Sequence, residues 1–152
     1  MQLIFNYLAL TNMKKIIYLV VLSFITTMAG AQQNWDVCVQ KKPVLKKVEE
    51  NKEKNVVTIK RTSLGNKTSL TIKFNDADTA NNITLMVDKE AGGGLTSWEF
   101  TGKPITISGK ELKKLFTGEN KLIFTYSAIP KDPNLAMLVR VRPVHVCTVE
   151  LY

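Results

Sequence analysis

Only two cysteines and one histidine occur in the 152 residues. That scarcity excludes a disulfide-dense mini-scaffold and a histidine-rich metal centre. Arginine is scarce as well: Arg61, Arg140 and Arg142 are the only three among 21 basic side chains. Sequence-specific nucleic-acid readers lean on arginine for bidentate base contacts, so the formal charge of +8 does not by itself mark such a protein. Crossover helices are missing from the pattern, which removes support for a parallel α/β fold. No Gly-x-Ser-x-Gly elbow is present, and Gly92 to Gly94 are not followed by the Gly-Lys-Ser/Thr and helix of a phosphate cradle.

What is present begins with an export signal. Met13-Lys14-Lys15 supplies a basic start, Ile16 to Ile25 an apolar stretch, and Ala29-Gly30-Ala31 a small-x-small cleavage site. Residues 1–31 therefore read as a signal peptide, with Met13 the true start and cleavage after Ala31. The 16 residues from Ile16 to Ala31 fall short of the roughly 20 needed to span a bilayer. The expected product is residues 32–152, secreted or periplasmic, with no integral membrane segment. Losing Lys14 and Lys15 lowers the charge to +6, most of it lysine. Export also makes nucleic acid an unlikely partner.

In an oxidising compartment, two thiols in a small domain are expected to pair, so Cys38 and Cys147 read as a disulfide tying the two ends of the domain. Neither CxxC spacing nor an activating neighbour points to redox or metal chemistry.

The body of the chain has the two-residue period of strands. Leu70, Ile72 and Phe74 alternate with Thr71 and Lys73, and Val56 to Arg61 is short and β-branched. These two segments, with a turn at Leu64 to Lys67, read as a hairpin. Further strands are expected at residues 82–88, 96–101, 104–108, 121–129 and 136–151, the last bent or placed at an edge by Pro143. Ser108-Gly109-Lys110-Glu111 matches a capping box, and Leu112, Leu115 and Phe116 follow at helical spacing, which predicts one short helix near 109–116. The mixed lysines and glutamates between Lys41 and Lys54 suit a solvated face or a protected edge strand. The fold class is all-β: an antiparallel β-sandwich, Ig-like or jelly-roll-like, of seven or eight strands, with a β-barrel as the alternative.

Any Ser-His-Asp or Cys-His mechanism must run through His145, which alternates in phase with Val141, Cys147 and Val149 and so reads as a structural histidine on the apolar face. The oxygen-rich loop from Asn75 to Asn82 fails the calcium-loop pattern, because Ala80 and Val87 fall where ligands are required. No residue is nominated as catalytic or as a metal ligand, and no cofactor is implied. The candidate binding residues are Trp98 and Phe100, two aromatics beside a glycine run, together with Gly93, which suits either a hairpin tip or a close approach of backbone to a ligand. The function expected is a non-catalytic binding or interaction protein whose ligand is a protein or an envelope or extracellular glycan. The alternatives are a small secreted hydrolase using His145 or loop carboxylates, and a structural accessory subunit of an envelope assembly.

Overall fold

The computed structural model describes residues 33–65, 68–75 and 79–152. The expected signal segment, Asn66 and Lys67 of the expected turn, and Asp76 to Asp78 of the oxygen-rich loop lie outside the described residues. Among the described residues nine strands form two sheets. One has the order β2-β1-β4-β7, from Lys42–Val48, Asn34–Val39, Ser69–Asn75 and Ile105–Ser108. The other has the order β3-β9-β8-β5-β6, from Val56–Ile59, Val144–Leu151, Lys121–Pro130, Asn81–Lys89 and Gly94–Glu99. Neither sheet closes on itself, so the architecture is a β-sandwich and not a barrel.

Alternation builds the core. Along β1, Trp35 and Val37 face inward opposite Phe74 and Ile72 of β4. From the facing sheet, Leu85, Leu122, Phe124 and Val149 fill the other half, and all four are fully buried. A chain of edge-to-face aromatics links Trp35 to Tyr126 at 5.7 Å, Tyr126 to Phe74 at 5.2 Å and Phe74 to Phe100 at 5.3 Å between ring centroids. The Trp35 indole N–H donates to the Val146 carbonyl across 3.0 Å, which satisfies the one polar atom that this ring carries into the core.

The first hairpin carries little sequence signal. Val39 pairs with Lys42, leaving Gln40 and Lys41 as a two-residue turn with φ of 51° and 65°. Tight hairpin turns of this kind normally take Asn-Gly or Asp-Gly, since positive φ is costly for other residues. Edge strand β2 carries Pro43 and the exposed Lys42, Lys46 and Lys47, devices that discourage pairing with another chain.

Four expectations are corrected. The segments at Val56–Ile59 and Ser69–Asn75 do not form a hairpin: a short 3₁₀ turn at Arg61–Ser63 follows the first, which pairs in parallel with β9, and the chain then crosses to the other sheet. The expected strand from Ala136 starts only at Val144. Before it, Asp132 caps a single helical turn, Pro133–Ala136, by accepting from the Asn134 N–H at 2.9 Å, with proline in the first helical position.

Third, Cys38 and Cys147 are free. Cys38 is paired with Thr71 on the outward parity of β1, opposite in direction to its core-facing neighbours Trp35 and Val37. Cys147 lies on the other sheet with its side chain in the core, paired with Phe124. A disulfide needs Cβ atoms about 4 Å apart, and packed sheets are about 10 Å apart before one thiol is turned outward.

Fourth, His145 does not share the Cys147 face. Phe124 pairs with Cys147 whereas Thr125 pairs with His145, so Val146 is an extra residue, a bulge. The bulge moves His145 onto the outer face with Thr148.

The expected helix is α1, Gly109–Leu115, with the Ser108 hydroxyl accepting from the Glu111 N–H. It buries Leu112, and Phe116 closes its end. Gly109 is required by contact: a Cβ there would stand 1.9 Å from the Gly65 carbonyl oxygen. No helix among the described residues is long and apolar enough to cross a membrane.

Candidate functional site

Trp98 and Phe100 are half-buried and pack against the core, Trp98 opposite the buried Leu85 and Phe100 on the Phe74 ring. Gly93 is exposed at the β5–β6 turn with φ of 98°, and a Cβ on it would meet nothing within 4 Å. Its glycine therefore serves the turn conformation and not a close approach within the chain. Seven residues of extended chain separate Gly93 from Phe100, roughly 23 Å at 3.3 Å per residue. The turn and the ring stand at opposite ends of β6. Phe100 instead lines a groove of about 520 Å³ with Phe74, Asn82, Thr101, Gly102 and Lys131.

The β8–β9 connection is the surface feature that the strand reading concealed. Leu135, Met137, Leu138 and Val139 are 54%, 80%, 82% and 50% exposed, a contiguous apolar run on a protein whose other large apolar side chains mostly face inward. The run is held in a defined shape. The Asp132 carbonyl accepts from Ala136 N–H, Pro133 from Met137 and Leu135 from Leu138. Its far end is anchored by Arg142, whose guanidinium donates to both Glu50 oxygens at 3.2 and 2.6 Å, while the Glu50 carboxylate also accepts from the His145 N–H at 3.1 Å. The Arg142 hydrogen bonds hold the Glu50 carboxyl below the usual carboxylate range despite its partial burial. Lys131 and Arg140 flank the apolar run. The signal that marks this loop was in the sequence: Asp-Pro begins a capped turn, and two prolines, Pro133 and Pro143, bracket a stretch too poor in alternation for a paired strand.

His145 is 2% exposed, and its Nε2 lies 2.9 Å from the Thr148 hydroxyl. Burial, aided by the Lys52 charge, pushes its pKa below the ordinary value of 6.5, so the ring is neutral at physiological pH. Histidine and Thr148 line a groove of about 550 Å³ on the outer face of the five-stranded sheet. A nucleophile activated by His145 would have to be a hydroxyl or thiol in hydrogen-bond reach, and the partner is Thr148, three residues away on the same strand, with no carboxylate bonded to the ring among the described residues. Cys147 is no substitute: burial pushes its thiol up to about 12. Among the described residues no three His, Cys, Asp or Glu side chains gather as metal ligands.

No family model, curated protein or solved structure matches the chain.

Proposed function

We propose that the chain is an exported, non-catalytic interaction protein that binds a protein partner through the β8–β9 loop. The observation that carries this reading is the exposed run Leu135, Met137, Leu138 and Val139, presented on a hydrogen-bonded turn. Large contiguous apolar surface is uncommon on a monomeric protein and marks contact sites. Aliphatic side chains offer a partner no hydrogen bonds, which favours an apolar protein surface over a glycan at this loop. Preorganisation lowers the ordering cost of binding, and the turn, the Asp132 cap and the Arg142–Glu50 clamp supply it. Export rests on the basic start, apolar stretch and Ala29-Gly30-Ala31 of residues 1–31. The neutral His145, tied to Thr148, supports the non-catalytic side of the reading.

The test is site-specific photo-crosslinking in the native host, with the reactive group at Met137 and, as a control that is also exposed, at Gly93. A discrete protein adduct from position 137 alone, lost in the Leu135→Ser/Leu138→Ser variant, is the expected result. Adducts at neither site, or equally at both, contradict the reading. A second reading, a permanent subunit of an envelope assembly, is favoured by β6, which among the described residues pairs only with β5 and presents an open edge. It predicts adducts along β6 as well as at Met137.

A further inference from the structure

The groove beside His145 meets the β8–β9 connection at Pro143 but lies mostly on the sheet and carries its own chemistry. Its walls come from three adjacent strands of the five-stranded sheet: Val56 of β3, Thr148 and Glu150 of β9, and Ile123 and Thr125 of β8. Its volume of about 550 Å³ lies within the range of small-molecule sites. Two groove-lining side chains each carry a buried polar atom with no partner among the described residues, His145 Nδ1 and Thr125 Oγ1. These two residues are direct cross-strand partners, so the two unsatisfied atoms belong to one spot on the sheet. Buried polar groups are nearly always hydrogen-bonded, so each of these two neighbouring orphans calls for a partner.

We propose that this groove binds a small neutral polyhydroxylated ligand, chemically a mono- or disaccharide, with Thr125 Oγ1 and His145 Nδ1 completing their hydrogen bonds on its hydroxyls. Charge selects the class. Lys121 bridges Glu90 at 2.9 Å and Glu150 at 3.2 Å, and Lys52 adds a second cation that has no ion-pair partner among the described residues. Two ammonium groups and two carboxylates line one groove, so an anion meets Glu90 and Glu150 and a cation meets Lys52 and Lys121. A hydroxyl both donates and accepts, and can use either sign of neighbour. The histidine fits the same logic. While neutral, it presents Nδ1 as donor or acceptor according to which role Nε2 takes toward the Thr148 hydroxyl. Val56, Ile123 and Pro143 supply the apolar contact that the C–H face of a sugar ring requires. The Val146 bulge is what places His145 beside Thr125 on this face, and bulges commonly re-aim a side chain at a site.

The experiment is a two-dimensional NMR titration of the purified protein with glucose, N-acetylglucosamine and maltose, with glucuronate and glucosamine as charged counterparts. Saturable shifts at Thr125, His145 and Thr148 with a neutral sugar, and binding of both charged counterparts at least tenfold weaker, are expected. Thr125→Val removes the orphan hydroxyl at nearly constant shape. It is expected to weaken the sugar tenfold or more while leaving the melting temperature equal or higher, two readouts that a purely structural threonine would not move in opposite directions. The proposal is overturned if no neutral sugar saturates by roughly 50 mM, a limit already weaker than a millimolar affinity. It is equally overturned if Thr125→Val binds unchanged, if a charged counterpart binds as well, or if the shifts map to the Phe100 groove.

Discussion

Alkylation of the native protein at pH 8, without reductant, separates Cys38 from Cys147. With its pKa pushed up to about 12, the Cys147 thiol is ionised to a fraction on the order of 10⁻⁴ at that pH, against roughly a quarter for an ordinary free cysteine. Ionisation alone therefore slows it by about three orders of magnitude, and complete burial adds the requirement that β9 open before a reagent can reach the sulfur. Cys38, partly exposed on the outward face of β1, is expected to take one label within minutes, and Cys147 only on addition of denaturant. Mass spectrometry of the intact chain and of its peptides counts the labels and places them. The same experiment has an equilibrium arm. A disulfide closing a loop of about 100 residues would add up to roughly 4.7 kcal/mol in the chain-entropy model, equivalent to about 2–4 M in urea midpoint at typical slopes. Free thiols on different sheets contribute no such term, so reductant is expected to leave the midpoint unchanged. A reductant-dependent drop of that size, together with a native chain lighter by two hydrogens and unlabelled even in denaturant, would refute the assignment of the two thiols to opposite faces.

Three further outcomes follow from the geometry. Trp35→Phe removes the indole hydrogen bond to the Val146 carbonyl and loosens the contact with Tyr126, with an expected loss of about 2–4 kcal/mol in urea unfolding; a loss below about 1 kcal/mol would show that the indole hydrogen bond carries little. Gly109→Ala raises helix propensity by up to about 1 kcal/mol, yet its Cβ would stand 1.9 Å from Gly65 O and 2.7 Å from Thr68 O, so overpacking of about 1–3 kcal/mol is expected to dominate and calorimetry should record a lower Tm. Acid should weaken the fold in two stages. His145 and Glu50 both have folded pKa values below their ordinary 6.5 and 4.5, so the unfolded chain binds protons first; their stabilisation is complete above the unfolded values and is lost as pH falls through the folded ones. Urea midpoints measured from pH 8 to 3 should fall first below about 6.5 and again below about 4.5. His145→Asn should abolish the first stage and Glu50→Gln the second, and an unchanged pH profile in both variants would contradict this.

Much of the fold was legible because burial on one side of a sheet imposes a period of two. Leu70, Ile72 and Phe74 announced β4 with its inward face correctly placed, and the alternation over residues 82–88 announced β5. The Ser108 cap and the helix after it were equally readable, since capping is a local exchange between a side chain and nearby amides. The first hairpin escaped because its turn uses Gln40 and Lys41 where a glycine-rich turn would be the usual signal. Pairing partners escaped for a different reason. Val56–Ile59 and Ser69–Asn75 are adjacent in sequence, but which strand each meets depends on long-range closure of two sheets.

The candidate sites were less legible than the fold. Trp98, Phe100 and Gly93 are individually conspicuous, yet strand direction sends Gly93 and Phe100 to opposite ends of β6. The apolar loop from Leu135 to Val139 resembles a buried strand in composition, and although its flanking prolines mark a loop, its exposure is set by the tertiary structure, in which the Pro133–Ala136 turn lies against β8 while Met137 to Val139 stay exposed.

By itself, then, the sequence determined the all-β class, the inward face of β4 and the short capped helix, because these follow from interactions within a few residues or from alternation alone. Tertiary structure decided that the two cysteines lie on different sheets, that one extra residue at Val146 turns His145 outward beside Thr125, and that Leu135 to Val139 meet solvent. Each of these depends on register and on what packs opposite, and a shift of one residue in a strand reverses which face every side chain occupies.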